Sequence, residues 1–220
     1  VLNELETIGA QACVGLLEAS DLSQCAELFN DLDQRQAGKR ITSTGLERIS
    51  VVPKLVPIVE HYLGSDAKPV RATLFDKRAD RNWALGWHQD RTIAVKAQRK
   101  VAGYGPWTIK QGICHVAPPA SLLASMLTVR VHIDVVDEAN APLLIAPGSH
   151  ALGVVAEADI PAAVERCGSL ACLAGAGDVW VYKTLILHAS ARASVARRRR
   201  VLQIDFCAEA LPGGLEWATA

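Results

Sequence analysis

The run GWHQDRTIAV, residues 86–95, brings an imidazole and a carboxylate together as His88-Gln89-Asp90. On a β-strand, side chains two apart share a face, so His88 and Asp90 are expected to look the same way. A second imidazole, His188, closes DVWVYKTLILHAS within a stretch that reads as sheet. The small residues Ala189-Ser190-Ala191 follow it and leave room for approach. Almost half the chain separates Asp90 from His188, which excludes a local metal motif such as HExxH. Only a closed barrel brings them together. Two imidazoles and a carboxylate on one face, with the other side open, are the 2-His-1-carboxylate set that suits non-haem Fe(II) and oxygen chemistry. HxD alone is a weak signal; it gains force from the distant histidine and from an arginine shortly after it.

The usual co-substrate of such iron sites, 2-oxoglutarate, is a dicarboxylate. Its far carboxylate calls for a bidentate, permanently charged partner, which a guanidinium supplies better than an ammonium. Arginines occupy positions 197–200. Beyond them Leu202, Ile204 and Phe206 alternate with Val201, Gln203 and Asp205. If helices cover the outer face, the apolar set points out and the polar set points in. Arg197 and Arg199 share the inward parity, and Arg199, deeper in the strand, is the expected anchor. In LTVRVHID, Val129, Val131 and Ile133 oppose Thr128, Arg130, His132 and Asp134. With the triad in place, Arg130 and His132 become candidates for the pocket wall. Lys77, Trp87, Trp107 and His115 are candidates to line the approach, with Trp107 on a loop that reads as a lid. His61 is expected at a helix end on the surface, and His150 is expected to orient the loop after Pro147-Gly148.

The elements that must position these groups fall into two textures. Residues 1–66 read as mostly helical: Asp21 and Gln24 suggest a capping box, and Pro53 begins an apolar stripe that stops at Gly64. Residues 67–220 read as short strands split by glycine and proline. Strands are expected at Val70–Asp76, Trp87–Val95, Leu127–Asp134, Leu143–Ala146, Asp178–Lys183, Leu185–Ala189 and Arg199–Cys207, with short helices around Pro119–Ser125 and Ile160–Glu165. The predicted fold is α+β: a jelly-roll core in a single domain over 1–220, with N-terminal helices packed on the outer sheet face.

Composition narrows the function classes. Formal net charge is zero over 220 residues, which argues against an electrostatic grip on nucleic acid or an anionic membrane. The six cysteines are scattered without a CxxC pair and read as reduced thiols filling apolar space. No signal-peptide pattern or transmembrane-length apolar run is visible, so a soluble, cytoplasmic protein is expected. Oligomeric state is not legible.

Three ordered segments, WALGWHQDRTIAV, DEANAPLLIAPGSH and GDVWVYKTLILHASARASVARRRRVLQIDF, resemble the phytanoyl-CoA dioxygenase family of Fe(II)- and 2-oxoglutarate-dependent oxygenases. The resemblance runs from about Val70 to the C-terminus and implies a double-stranded β-helix. It implies His88, Asp90 and His188 as iron ligands, Arg199 as the 2-oxoglutarate anchor, and Ser190 as a supporting hydroxyl. Arg130 stands where relatives often carry a tryptophan beside the co-substrate. Asn140-Ala141 replaces a common Asn-Gly, a change expected to alter the turn without touching chemistry. Retention of Asp90 points to hydroxylation rather than halogenation, since halogenating relatives replace that carboxylate with a small residue. The implied reaction is hydroxylation of a small organic molecule by molecular oxygen, with release of succinate and CO2. The alternative is a jelly-roll module that binds metal or a small molecule without turnover. A zinc hydrolase is disfavoured, because no acid/base partner for one is identifiable.

Overall fold

The computed structural model describes residues 4–30, 38–41, 43–46 and 49–219. Its helices are α1 (Glu4–Thr7), α2 (Ala19–Glu27), α3 (Ser43–Leu46), α4 (Val52–Leu63), α5 (Ala120–Ala124) and α6 (Ile160–Cys167). The strands are β1 (Ala10–Cys13), β2 (Gly38–Ile41), β3 (Lys68–Lys77), β4 (Leu85–His88), β5 (Ile93–Val95), β6 (Trp107–Lys110) and β7 (Ile113–Val116). They continue as β8 (Leu127–His132), β9 (Leu143–Ile145), β10 (Leu170–Cys172), β11 (Val179–Lys183), β12 (His188–Ser190) and β13 (Arg199–Cys207).

Alternation along β13 decides the layering. Leu202, Ile204 and Phe206 are fully buried on the outer face of a six-stranded sheet ordered β1-β11-β8-β13-β3-β2. They pack there with Cys25 of α2, Phe29 after it, and Leu55 and Val59 of α4, one turn apart on the same stripe. Burying each large aliphatic side chain in this layer contributes about 1.5–3 kcal/mol. The inner face of the sheet carries the polar set and looks toward a four-stranded sheet ordered β10-β9-β12-β4. A three-stranded sheet, β5-β7-β6, closes one side. The result is the expected α+β double-stranded β-helix with helices on its outer sheet.

The structure corrects the sequence reading in several places. The N-terminal part is not helical alone, because β1 and β2 cap the two edges of the six-stranded sheet. Each is four residues long, too short for periodicity to register. Helix α2 starts earlier than expected: Glu18 is its N-cap, and Asp21 is the third helical residue, its carboxylate accepting from the Glu18 amide at 2.9 Å. The expected strand Trp87–Val95 divides into β4 and β5, which belong to different sheets. The expected strand Leu185–Ala189 is mostly turn, and His188 begins β12 rather than ending a strand. Trp107 lies in β6, not on a loop. The β6–β7 hairpin turns through Gln111 and Gly112, with φ of 52° and 77°, a two-residue turn of the primed type. Gln-Gly carries a weaker signal for that turn than Asn-Gly.

Candidate metal centre

His88 and His188 are direct cross-strand partners, paired in register between β4 and β12. Their ring centroids are 4.2 Å apart. Asp90 follows where the chain leaves β4, and one ligand atom from each of the three residues lies within 4.8 Å of the others. Asp90 is therefore not on the strand that fixes His88. Its direction is set instead by Gln89 between them, 5% exposed. The Gln89 amide donates to Leu185 O (2.6 Å) and Gly153 O (2.7 Å), and its oxygen accepts from Val155 N (2.9 Å). Three hydrogen bonds pin the break in the strand, so the residues on either side turn toward one point.

Both imidazoles are held in a single tautomer. His88 Nδ1 meets Gly86 O at 2.8 Å, and His188 Nδ1 meets Ile186 O at 3.0 Å. A carbonyl only accepts, so Nδ1 carries the proton and Nε2 keeps its lone pair for a metal. Burial pushes the His188 imidazole down to about 4, so it is neutral near pH 7. Burial works to raise Asp90, but the Arg71 guanidinium and the two imidazoles outweigh it and hold the carboxyl below its ordinary range. Arg71 Nη2 (3.3 Å) and Gln203 Nε2 (3.4 Å) both reach Asp90 Oδ2. Arg71 also pairs through Nε with buried Asp205, which takes a further bond from Thr128 at 2.9 Å. Burial raises the Asp205 carboxyl despite that cation.

The same three residues line a cavity of about 420 Å³ whose wall also includes Lys77, Arg130, Ser190, Arg199 and Gln203. Arg199 and Lys77 are registered opposite each other on β13 and β3, and each is 2% exposed. Lys77 Nζ donates to Ser190 Oγ at 3.0 Å and to Ala191 O at 2.6 Å. Arg199 Nη1 donates to Ala141 O and approaches Ser190 Oγ at 3.5 Å, while its buried Nε has no partner. Among the described residues no carboxylate pairs with either cation. Burial, then the neighbouring Arg199 and Arg130, pull Lys77 down to about 7. Burial, then Arg130, lowers Arg199 to about 9. Arg130, 5% exposed, donates to Gln203 Oε1 at 2.9 Å and so holds the glutamine that touches Asp90. This end of the cavity is built for an anion.

The other sequence candidates divide. Lys77 and Arg130 line the cavity. His132 lies behind it, fully buried with both ring nitrogens unpartnered, and burial pushes it down to about 3. Asp134 is bound bidentately by Arg200 and Arg197 pairs with Asp137, both away from the cavity. Trp87 lines a separate cavity against α6, and Trp107 and His115 pack around the three-stranded sheet. His150 contacts Glu6 O at 3.1 Å and acts as a loop brace. The Asn140-Ala141 departure does reach the site, because the Ala141 carbonyl accepts from both Arg199 and Ser190. Ala141 holds φ at 52°, a region in which glycine is at ease and alanine is not. Sequence reasoning missed Gln89 and Arg71. The one signal for Gln89 was its place between the two candidate ligands His88 and Asp90.

Residues 26–201 match the family described as phytanoyl-CoA dioxygenase. No curated protein matches the chain in sequence. Among solved structures, the chain is similar to the non-haem α-ketoglutarate-dependent epimerase SnoN of nogalamycin biosynthesis, at 15% identity and a TM-score of 0.67, covering 96% of this chain and 88% of that one. It is similar to EctD from S. alaskensis, solved with 2-oxoglutarate and 5-hydroxyectoine, at 14% identity and a TM-score of 0.67, covering 93% and 73%. It is also similar to HygX from Streptomyces hygroscopicus, solved with nickel and 2-oxoglutarate, at 12% identity and a TM-score of 0.65, covering 94% and 85%. At these identities the likeness speaks for the fold.

Proposed function

The chain belongs to the phytanoyl-CoA dioxygenase family, and from that premise we propose that it is an Fe(II)- and 2-oxoglutarate-dependent oxygenase. It hydroxylates a small organic molecule and releases succinate and CO2, and residues 1–220 act as one oxygenase domain. The observation that carries the reading is one cavity holding both a three-donor set with free imidazole Nε2 atoms and a buried pair of cations without a carboxylate. Two imidazoles with Nε2 free and one ionised carboxylate fit a divalent iron with open positions. The orphaned Nε of Arg199 and the neutral partners of Lys77 fit the far carboxylate of 2-oxoglutarate.

His88, Asp90 and His188 would hold the iron. Bound there, it supplies oxygen activation and the oxidising power that co-substrate decarboxylation releases. Arg199, Ser190 and Lys77 clamp the far carboxylate, which directs the keto-acid end toward the histidines. Arg130 adds charge to that end and braces Gln203. Arg71 keeps Asp90 ionised and turned by its Oδ2 contact. Phe75, Trp83 and Leu85 supply the apolar part of the cavity wall.

Succinate release with Fe(II), 2-oxoglutarate and air tests the reading. Asp90→Ala is expected to abolish it while circular dichroism stays native. Oxygen-18 from labelled O2 in the product supports hydroxylation. Succinate release with an inverted stereocentre and no label in the substrate-derived product, succinate alone carrying it, supports epimerisation, the reaction named for SnoN. Binding of 2-oxoglutarate with no succinate across a broad substrate panel makes the chain a binding module.

A further inference from the structure

Positive charge in the cavity exceeds what iron and one 2-oxoglutarate balance. Arg71 is matched by Asp205 and Asp90. Arg199 and Lys77 face one carboxylate subsite between them. On the Asp90 side stand two more cations, Arg40 of β2 and Lys110 of β6. Arg40 lines the cavity, and its buried Nε has no partner. Among the described residues Lys110 Nζ reaches the Thr92 hydroxyl alone, at 3.3 Å. Among the described residues no carboxylate pairs with either.

Their placement is fixed by the hairpin turn. Gln111 Oε1 accepts from Arg40 N at 2.9 Å, and Gln111 Nε2 donates to Gly38 O at 2.7 Å. The side chain thus ties the tip of β6–β7 to the edge strand β2; Arg40 and Gln111 stand on the cavity wall, and Lys110, the residue before Gln111, stands outside the lining. Burial depresses both groups, and Arg71 adds repulsion to each; Arg40 repels Lys110 as well. The carboxylate that both feel, Asp90, is committed to Arg71. Like charges gathered beside a cavity with no internal counterion are stabilised by an anion from outside.

We propose that Arg40 and Lys110 form a second oxyanion subsite and that the primary substrate is an acid, its carboxylate or phosphate group held there. The inference rests on the oxygenase reading for the location of the reacting centre. Calorimetric titration of protein loaded with Mn(II) and saturating 2-oxoglutarate tests it, with inorganic phosphate and butyrate as probes and butanol as the uncharged control.

The expected result is saturable binding of at least one anion, weakened by salt and about tenfold or more weaker in Arg40→Ala and in Lys110→Gln. Tighter phosphate binding marks a phosphate ester as the substrate class, and tighter butyrate binding marks a carboxylic acid. Circular dichroism melts identify a variant that has not folded, in which case the other decides. The inference is overturned if neither anion saturates the loaded protein, if butanol binds as well, or if the folded variants match wild type. Failure of Mn(II) and 2-oxoglutarate to bind wild type overturns the oxygenase reading instead, and the same probes on the unloaded protein then decide the subsite.

Discussion

Replacing Gln89 with leucine roughly keeps the side-chain volume while deleting its four hydrogen bonds, to Leu185 O, Gly153 O, Val155 N and, more weakly at 3.4 Å, Arg91 Nη2. Each buried polar group left unpaired costs about 1–3 kcal/mol. Carbonyl oxygens tolerate the loss better than an amide hydrogen, so the total is about 3–5 kcal/mol. For a chain of this size that lowers Tm by about 10 °C or somewhat more. A purely structural residue stops there. Because Gln89 sets the direction of both His88 and Asp90, Mn(II) affinity is also expected to fall by about 10–100-fold, the range for partners that orient metal ligands. Thermal melts followed by circular dichroism and calorimetric metal titration read the two effects separately. A Gln89→Leu protein that melts with wild type, or that melts early yet binds metal with wild-type affinity, refutes the idea that this side chain aims the ligands.

Arg71→Met leaves buried Asp205 without its cation and is expected to cost about 3–5 kcal/mol at neutral pH. Part of the loss returns as pH falls, since the protonated carboxyl needs no partner, and adding Asp205→Asn should recover it at all pH values in urea titrations. Lys77 has its folded pKa lowered from 10.5 to about 7 by burial. The unfolded chain therefore binds more protons between those values, and stability of the free protein rises with pH across that window; Lys77→Met should flatten the Tm–pH profile. Binding of 2-oxoglutarate at pH 8 should take up a proton as Lys77 charges, an uptake read from calorimetry in buffers of different ionisation enthalpy and absent in Lys77→Met. Ala141→Gly relieves the positive φ and should raise stability by up to about 1 kcal/mol.

What the sequence made legible was periodicity carried on long elements. β13, nine residues long, alternates cleanly, so its inward parity singled out Arg199 over the leucine face, and burial separates it from Arg197. Of the polar face of β8, Arg130 reaches the cavity wall as the spacing suggested, whereas His132 is buried outside the lining and Asp134 is held by Arg200. What stayed hidden was where strands break. The run at residues 87–95 reads as one strand yet changes sheet: the exposed to half-buried β4 and the buried β5 pair with different partners, and spacing along one short run does not register the break. Gln89, the single polar side chain that makes the break possible, sat in plain view between the two candidate ligands. Arg71 and Arg40 belong to strands whose charge looks solvated in one dimension and meets the cavity only after folding. The β6–β7 hairpin escaped because its Gln-Gly turn departs from the commoner Asn-Gly. Ala141 was legible as a departure, yet its carbonyl contact with Arg199 depends on three segments converging.

Anomalous diffraction from crystals soaked without oxygen in Fe(II) and 2-oxoglutarate is the most direct measurement. Expected is one iron peak between Nε2 of His88, Nε2 of His188 and the Asp90 carboxylate, with density for the dicarboxylate running from it to Arg199, Ser190 and Lys77. Iron bound elsewhere, no iron at all, or a dicarboxylate whose far end avoids Arg199 contradicts the central claim.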